Sequence, residues 1–403
     1  MPRILLFTGK GGVGKTTTAA ATALAAAQRG LRTLVLSTDP AHSLADALDR
    51  PLGPEPVAVA ENLWAQEIDL YYSMKKHWAS LRDLLLVLFK WQGVEKVAAE
   101  ELAALPGMGE ASALLWVEQV YEAGTYDLIV LDAAPTGETL TLLTLPQVTQ
   151  WWVAKAFPFQ KAAIKSVGRA VRATTGIPLD KGYEELDRLF GKLEAIQAVM
   201  QDPAVTSVRL VCNPERMVIA EARRAHTYLQ LYGYHVDAVV VNRVLPDDKG
   251  TADGFLAKYV AAQRGYLDEI ADSFDPLPIL HVPHQGEEVF GLDLLDQIGT
   301  TLYPADGPAP RDGDAPRDPA AVLHREPTTT LTEVGDAYDL ALRVPFADAD
   351  EIVAEQFADE VVVQVRNQRR HVALPNFLAY YTLTSAEHDQ TWLHLRFEPT
   401  PGA

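Results

Sequence analysis

The sequence predicts an α/β protein built on a mostly parallel sheet, with helical insertions and a small all-β sandwich at its carboxyl end. Three observations point there. Short apolar runs alternate with helical patterns through the first three quarters of the chain. A glycine-rich stretch separates the first such run from the first helix. After a Pro- and Asp-rich interruption, the pattern changes to short runs rich in β-branched residues.

Taken in order, Ile4-Leu5-Leu6-Phe7 suits a buried strand. Thr16 to Gln28 is Ala-rich and helix-favouring, and Gly30 stands where a helix would stop. Between them, Gly9-Lys10-Gly11-Gly12-Val13-Gly14-Lys15-Thr16, followed by Thr17, fits the phosphate-binding pattern G-x-x-x-x-G-K-[ST]. The chemistry needs these residues in this order. Glycines let the backbone turn tightly and aim N–H groups at phosphate oxygens, and the helix that follows adds positive potential at the same point. Lys15 is placed to reach the β- and γ-phosphates, and the Thr16 hydroxyl to sit on Mg²⁺. The stretch is therefore read as a nucleotide site with Mg²⁺, in a P-loop NTPase fold.

Thr33 to Ser37 reads as a second buried strand, ending in Thr38-Asp39-Pro40-Ala41-His42-Ser43. Asp127 to Leu131 is another, ending in Asp132-Ala133-Ala134-Pro135-Thr136-Gly137-Glu138-Thr139. Ser207 to Cys212, Val236 to Val241 and Ile279 to Val282 follow. Ligands of such sheets bind beyond the carboxyl ends of the strands. Gly9, Asp39, Asp132, Asn213, Asn242 and Pro283 all fall at such ends and are expected to converge around one nucleotide.

Two insertions, 70–120 and 145–200, interrupt the alternation. The first carries Leu81, Leu84, Leu85, Leu88, Phe89 and Trp91. The second carries Trp151, Trp152, Phe157 and Phe159, then Leu186, Leu189, Phe190, Leu193, Ile196 and Met200 at helical spacing. No acidic residue occurs between Glu138 and Asp180, while Lys155, Lys161, Lys165, Arg169 and Arg172 do. Ile164, Val167 and Val171 are interleaved. This basic amphipathic pattern fits a helix docked on the acidic body, or a surface for a hydrophobic partner or an anionic membrane.

The expected organisation is a nucleotide domain over 1–302, a linker over 303–326 and an all-β domain over 327–403. The last is marked by Tyr338–Val344, Glu360–Val365, Arg370–Leu374 and Trp392–Phe397. A net charge of −19 over 403 residues argues against nucleic-acid binding. One cysteine, Cys212, excludes an internal disulfide or a multi-cysteine metal site within one chain. No apolar run approaches the length of a spanning helix, and the phosphate loop begins too near the start to leave space for a signal peptide. A cytoplasmic location is expected.

Taken together, the variant phosphate loop with its extra Lys10, Asp39-Pro40-Ala41-His42-Ser43, Asp132 to Thr139, Val211-Cys212-Asn213-Pro214-Glu215 and Val241-Asn242-Arg243 resemble the arsenite-pump and tail-anchored-protein-targeting ATPases (the ArsA/GET family). The resemblance covers roughly the first three quarters of the chain. The last 80 or so residues are similar, by strand pattern and position, to the α-crystallin-like domain that some members carry. The resemblance implies that Lys10 reaches across a dimer interface to the neighbouring chain's phosphates, as an arginine finger does. It implies that Asp39 orients or activates the attacking water and belongs with Thr16 and Asp132 to the metal site. Asp132 would hold Mg²⁺ through water and couple the second switch to the γ-phosphate. Glu215 and Asn242 match positions that bind nucleotide or the facing subunit. Ala133 and Glu138 depart from the usual Thr and His of the second switch. The zinc clasp of eukaryotic targeting members and the cysteine trio of pump members are both absent. With one phosphate loop per chain, Lys10 acting in trans requires a homodimer.

Three functions compete at this point, with a non-hydrolysing scaffold as the remaining option. The first is an ATP-hydrolysing dimer that takes up and releases a hydrophobic client, such as a tail-anchored transmembrane segment, with transient membrane or receptor contact. The second is an ATPase energising metalloid or anion transport, and the third a positioning ATPase of the ParA/MinD kind. The β-domain is either a chaperone-like client surface or an interaction module.

Overall fold

The computed structural model describes residues 1–39, 41–77, 108–156, 179–246, 255–304 and 317–400. Much of both insertions, including the run from Leu81 to Trp91 and the basic stretch from Lys161 to Arg172, lies outside the described residues, as does Pro40.

The amino-terminal body is an eight-stranded sheet of order β3-β4-β2-β5-β1-β6-β7-β8. Its strands are β1 (Arg3–Thr8), β2 (Thr33–Ser37), β3 (Val57–Ala60), β4 (Leu63–Glu67), β5 (Leu128–Asp132), β6 (Thr206–Cys212), β7 (Val236–Val244) and β8 (Ile279–Pro283). All pairings are parallel except β3 with β4 at the edge. The central strands are apolar without alternation because helices cover both faces, so Leu34, Val35 and Leu36, or Ile129, Val130 and Leu131, are all buried. The helices are α1 (Lys15–Gln28), α2 (Ser43–Leu48), α3 (Leu70–His77), α4 (Met108–Ala123), α5 (Thr136–Ala156), α6 (Leu179–Gln201), α7 (Arg216–Leu231), α8 (Phe255–Phe274) and α9 (Gly291–Leu302). The Ala-rich run of α1 is buried from Ala19 to Ala27, small side chains letting it lie close to both the sheet and α9.

The carboxyl-terminal residues form two antiparallel sheets, β14-β15-β10-β9 and β11-β12-β13. Their strands are β9 (Thr329–Val334), β10 (Ala337–Arg343), β11 (Ile352–Phe357), β12 (Glu360–Val365), β13 (Gln368–Ala373), β14 (Tyr381–His388) and β15 (Trp392–Pro399). Leu340, Leu342, Val361, Val363, Leu393, Leu395 and Phe397 fill the space between the sheets. Leu231, the last residue of α7, joins this second core. The sandwich is fastened along the carboxyl half of α7. The Thr227 hydroxyl donates to the Pro345 carbonyl (2.5 Å), Tyr228 Oη to Asn367 Oδ1 (3.2 Å) and Tyr232 Oη to Gln368 Oε1 (3.0 Å), while Arg370 donates to the Leu231 carbonyl. In the same contact His226 stacks against Phe274 and meets Phe346 at a tilt. Burial pushes its imidazole down to about 3, so it is neutral there.

The stretch whose composition reads as linker is partly built into the first core. Tyr303 is buried. The Arg209 guanidinium, itself wholly buried, donates to Tyr303 Oη (2.7 Å), to the Ala321 carbonyl (3.2 Å) and to Asp237 Oδ1 (3.3 Å). Arg3 Nε donates to the Ala320 carbonyl (3.0 Å). Polar composition conceals this because the acceptors are backbone carbonyls, which every residue type supplies.

Candidate nucleotide site

The loop between β1 and α1 is shaped by two close approaches. A Cβ at Gly9 would stand 2.1 Å from the Val211 carbonyl oxygen on the adjacent strand β6. Gly14 caps α1 in the left-handed region (φ 93°), and a Cβ there would stand 2.1 Å from Asn242 Nδ2. That amide donates to the Val13 carbonyl (2.8 Å), so the end of β7 braces the loop from below. Lys15 folds back over the loop, donating from Nζ to the Lys10 carbonyl (3.3 Å). Burial lowers its pKa, opposed by the charges of Asp132, Asp39, Glu221 and Glu138. A buried lysine folded over a glycine loop at a helix N-terminus, with carboxylates grouped around it, suits a triphosphate with a divalent cation. The Lys10 ammonium, by contrast, makes no hydrogen bond or ion pair with the described residues.

The two switch segments are stitched together across β2 and β5. Register places Ser37 beside Asp132, and the Ser37 hydroxyl donates to Asp132 Oδ2 (3.0 Å). Thr38 N–H donates to the Asp132 carbonyl (2.9 Å), and Ala134 N–H to Thr38 Oγ1 (3.3 Å). Asp39 Oδ1 accepts Ala41 N–H (2.9 Å). Thr16 Oγ1 lies 3.1 Å from Ser43 Oγ, tying the loop to the first switch. At the second switch, Thr139 Oγ1 donates to the Ala134 carbonyl (2.6 Å) and accepts from Thr8 (3.2 Å). Glu138 is exposed in the first turn of α5. With Thr38, Ile68, Glu110, Ala134 and Leu142 it lines a cavity of about 240 Å³ beside the switches.

Asp132 carries the observation that bears on Mg²⁺. It is wholly buried, its Oδ1 has no hydrogen-bond partner, and desolvation raises its pKa to about 6, against the Thr16 and Ser37 hydroxyls and the Lys15 charge. A buried carboxylate with one orphaned oxygen beside the Thr16 hydroxyl fits a hydrated divalent cation. Below about pH 4 this carboxyl is protonated in both folded and unfolded chains. As pH rises through about 6 the folded chain must hold a buried charge, a loss on the order of 3 kcal/mol relative to acid pH. Without nucleotide, Asp132→Asn is therefore expected to melt higher than wild type at pH 7.5 and level with it near pH 4. Calorimetry at the two pH values checks this, and equal melting at pH 7.5 would refute it.

Among the sequence-predicted residues, Gly9, Lys10, Gly11, Gly12, Val13, Gly14, Lys15, Thr16 and Thr17 form the loop and the first turn of α1. Asp39, Asp132 and Asn242 surround them. Asn213 ends β6 beside the loop. Glu215 caps α7 with its N–H on the Asn213 carbonyl (2.7 Å), and Pro283 ends β8 opposite Val244. Among the described residues no hydrogen bond joins either to the loop. Ser37, Glu67 and Glu221 were not singled out by motif. Glu221 on α7 accepts from the Thr136 hydroxyl (3.4 Å) at the second switch. The signal for Ser37 was available: a hydroxyl closing an otherwise apolar strand, level with the aspartate of the next.

The sequence profile of the anion-transporting ATPase family matches residues 2–304, and that of an HSP20-like domain found in ArsA matches residues 335–397. An ATPase of Chlorobaculum tepidum, provisionally named as arsenical pump-driving, is 39% identical over 98% of this chain and 96% of its own length. One of Aquifex aeolicus with a similar name is 36% identical over 93% of the chain and 95% of its own. A Paramecium tetraurelia protein named ATPase ASNA1 homolog 1 is 33% identical over 72% of the chain and 88% of its own. With its phosphate loop, stitched switches and appended sandwich, the chain belongs to the anion-transporting (ArsA-type) ATPase family.

Proposed function

We propose that this ATPase works as a homodimeric switch, using ATP with Mg²⁺ to take up and release a hydrophobic protein client. The observation that carries the reading is the stitching of Ser37 and Thr38 to Asp132 and Ala134. Whatever the γ-phosphate does to one switch is felt by the other, and the second opens directly into α5. At 21 residues that helix is about 30 Å long, enough to carry a small rotation well away from the nucleotide. It leads into the insertion where the sequence concentrates Trp151, Trp152, Phe157 and Phe159.

In this reading Lys15 and the loop N–H groups hold the phosphates, and Asp39 orients the attacking water from the first switch. Thr16 and Asp132 would hold Mg²⁺, which when bound neutralises charge developing between the β- and γ-phosphates. Lys10, whose ammonium has no partner among the described residues, is available to the facing subunit's phosphates. Phosphoryl transfer is mostly positioning and charge neutralisation, so dimer closure would turn hydrolysis on.

Metalloid transport is less well supported, although relatives carry names of that kind. The chain's one cysteine is wholly buried in β6, and desolvation pushes its thiol up to about 12, which leaves no thiolate for a soft ion. Among the described residues no group of three His, Cys, Asp or Glu could hold a metal ion. No described helix is long and apolar enough to cross a membrane.

Asp39→Asn tests the reading. It is expected to slow turnover by about 10²-fold or more while ATP binding persists, and so to accumulate a nucleotide-bound dimer in sedimentation. Wild-type turnover, or an ATP-loaded chain that remains monomeric, would refute it.

A further inference from the structure

We propose that Glu67 is a positioning residue for ATP hydrolysis, fastening the far end of the first switch so that Asp39 is held in place. This rests on the role given above to Asp39. Glu67 ends β4 in register with Ser37 on β2, which is in turn level with Asp132 on β5. Three polar side chains thus stand in one row across the carboxyl edge of the sheet. Two of them, Ser37 and Asp132, face each other, while Glu67 faces the switch.

Glu67 is buried, 6% exposed, and uses both carboxylate oxygens on that segment. Oε1 accepts the N–H of Ala45 (2.9 Å), and Oε2 lies 3.3 Å from His42 Nδ1. His42 is the residue that needs holding. It adopts a left-handed backbone (φ 54°), a minority conformation for a non-glycine residue that a side-chain anchor helps to hold. From His42 the restraint passes in both directions. Its N–H donates to the Asp39 carbonyl (3.2 Å), closing the turn in which Asp39 Oδ1 accepts Ala41 N–H. The next residue, Ser43, meets the Thr16 hydroxyl. One buried carboxylate on a rigid strand therefore fixes both ends of the Asp39–Ser43 turn relative to the sheet. Hydrogen bonds to an ionised, desolvated acceptor are the strong ones, and a base displaced by about 1 Å loses about 10² in rate.

The test uses the full-length protein with Mg²⁺ and ATP, reading steady-state kcat and KM, fluorescent-nucleotide affinity and melting temperature for Glu67→Ala, Glu67→Gln and His42→Asn. Asparagine tolerates the left-handed backbone, so His42→Asn removes the imidazole without imposing new strain. Glu67→Ala is expected to lower kcat by about 30-fold with KM and affinity within about threefold, because binding is made by the loop. Glu67→Gln still accepts from Ala45 but presents no charge to His42, so it and His42→Asn should each lose about three- to tenfold in kcat. A Glu67→Ala kcat within twofold of wild type would overturn the proposal. So would kcat and affinity falling together, the mark of a collapsed site. Should Glu67→Ala fail to fold, wild-type kcat in both milder variants overturns it. Asp39→Asn run alongside separates the two ideas. If it is slow while the Glu67 variants are normal, only the role of Glu67 fails. If it turns over at the wild-type rate, the role of Asp39 fails and this proposal falls with it.

Discussion

Lys10→Ala is expected to lower kcat by about 10³-fold while ATP affinity changes only a few-fold, because in the proposed reading the own-chain phosphates fall to Lys15, which lies over the loop, and to the loop N–H groups. The affinity measurement excludes a broken loop, but mixing subunits tests the mechanism itself. In a heterodimer of Lys10→Ala with Asp39→Asn, one site keeps its own Asp39 and faces an intact Lys10 from its neighbour. The other site lacks both. Random pairing of two nearly inactive variants should therefore restore about a quarter of wild-type activity. Restoration cannot occur if Lys10 serves its own chain, so a mixture that stays inactive would refute action in trans.

Gly9→Ala is expected to weaken ATP binding severely and to destabilise the chain. The new methyl group would stand 2.1 Å from the Val211 carbonyl oxygen, against the 3 Å or more of real contacts, and that carbonyl belongs to a central strand paired with β1. Neither strand can yield without opening the sheet, so the loop must move instead, and every N–H aimed at phosphate moves with it. Such overpacking costs about 1–3 kcal/mol, enough to lower the melting temperature by several degrees. Displaced phosphate contacts should weaken ATP binding by about 100-fold or more. Calorimetry and nucleotide titration read the two effects, and near-wild-type affinity would show that the loop tolerates a shape the structure denies it.

What could be read from the sequence follows from where water is excluded. The central strands are wrapped on both faces, so Leu34-Val35-Leu36 and Ile129-Val130-Leu131 announce themselves as uninterrupted apolar runs. β3 and β4 do not. Val57-Ala58-Val59-Ala60 lies at an exposed edge, and Leu63-Trp64-Ala65-Gln66-Glu67 mixes apolar and polar residues because its carboxyl end serves the switch. In the sandwich, β10, β12 and β15 were anticipated from residues that form its core, and β13, itself an edge strand, from the run that ends in the buried Leu374. β9, β11 and β14 are edge strands whose outward positions carry Thr, Glu and Gln, and their alternation is too diluted to stand out. The phosphate loop was fully legible, since its chemistry dictates both residue type and spacing. Glu67 was not, because its partners His42 and Ala45 are brought to it only by the pairing of β2 with β4.

The Arg209 guanidinium grips the chain twice, at Tyr303 where it leaves the first core and at Ala321 where it returns. The residues between those grips therefore bridge two pinned ends, and the carboxyl-terminal sandwich does not hang from them as a weight hangs from a cord. Its place against α7 is set by the contacts there, and the intervening length enters only through loop-closure entropy, about 0.6 kcal/mol for each doubling. A change of length between the two grips leaves untouched the α7 contacts that hold the sandwich.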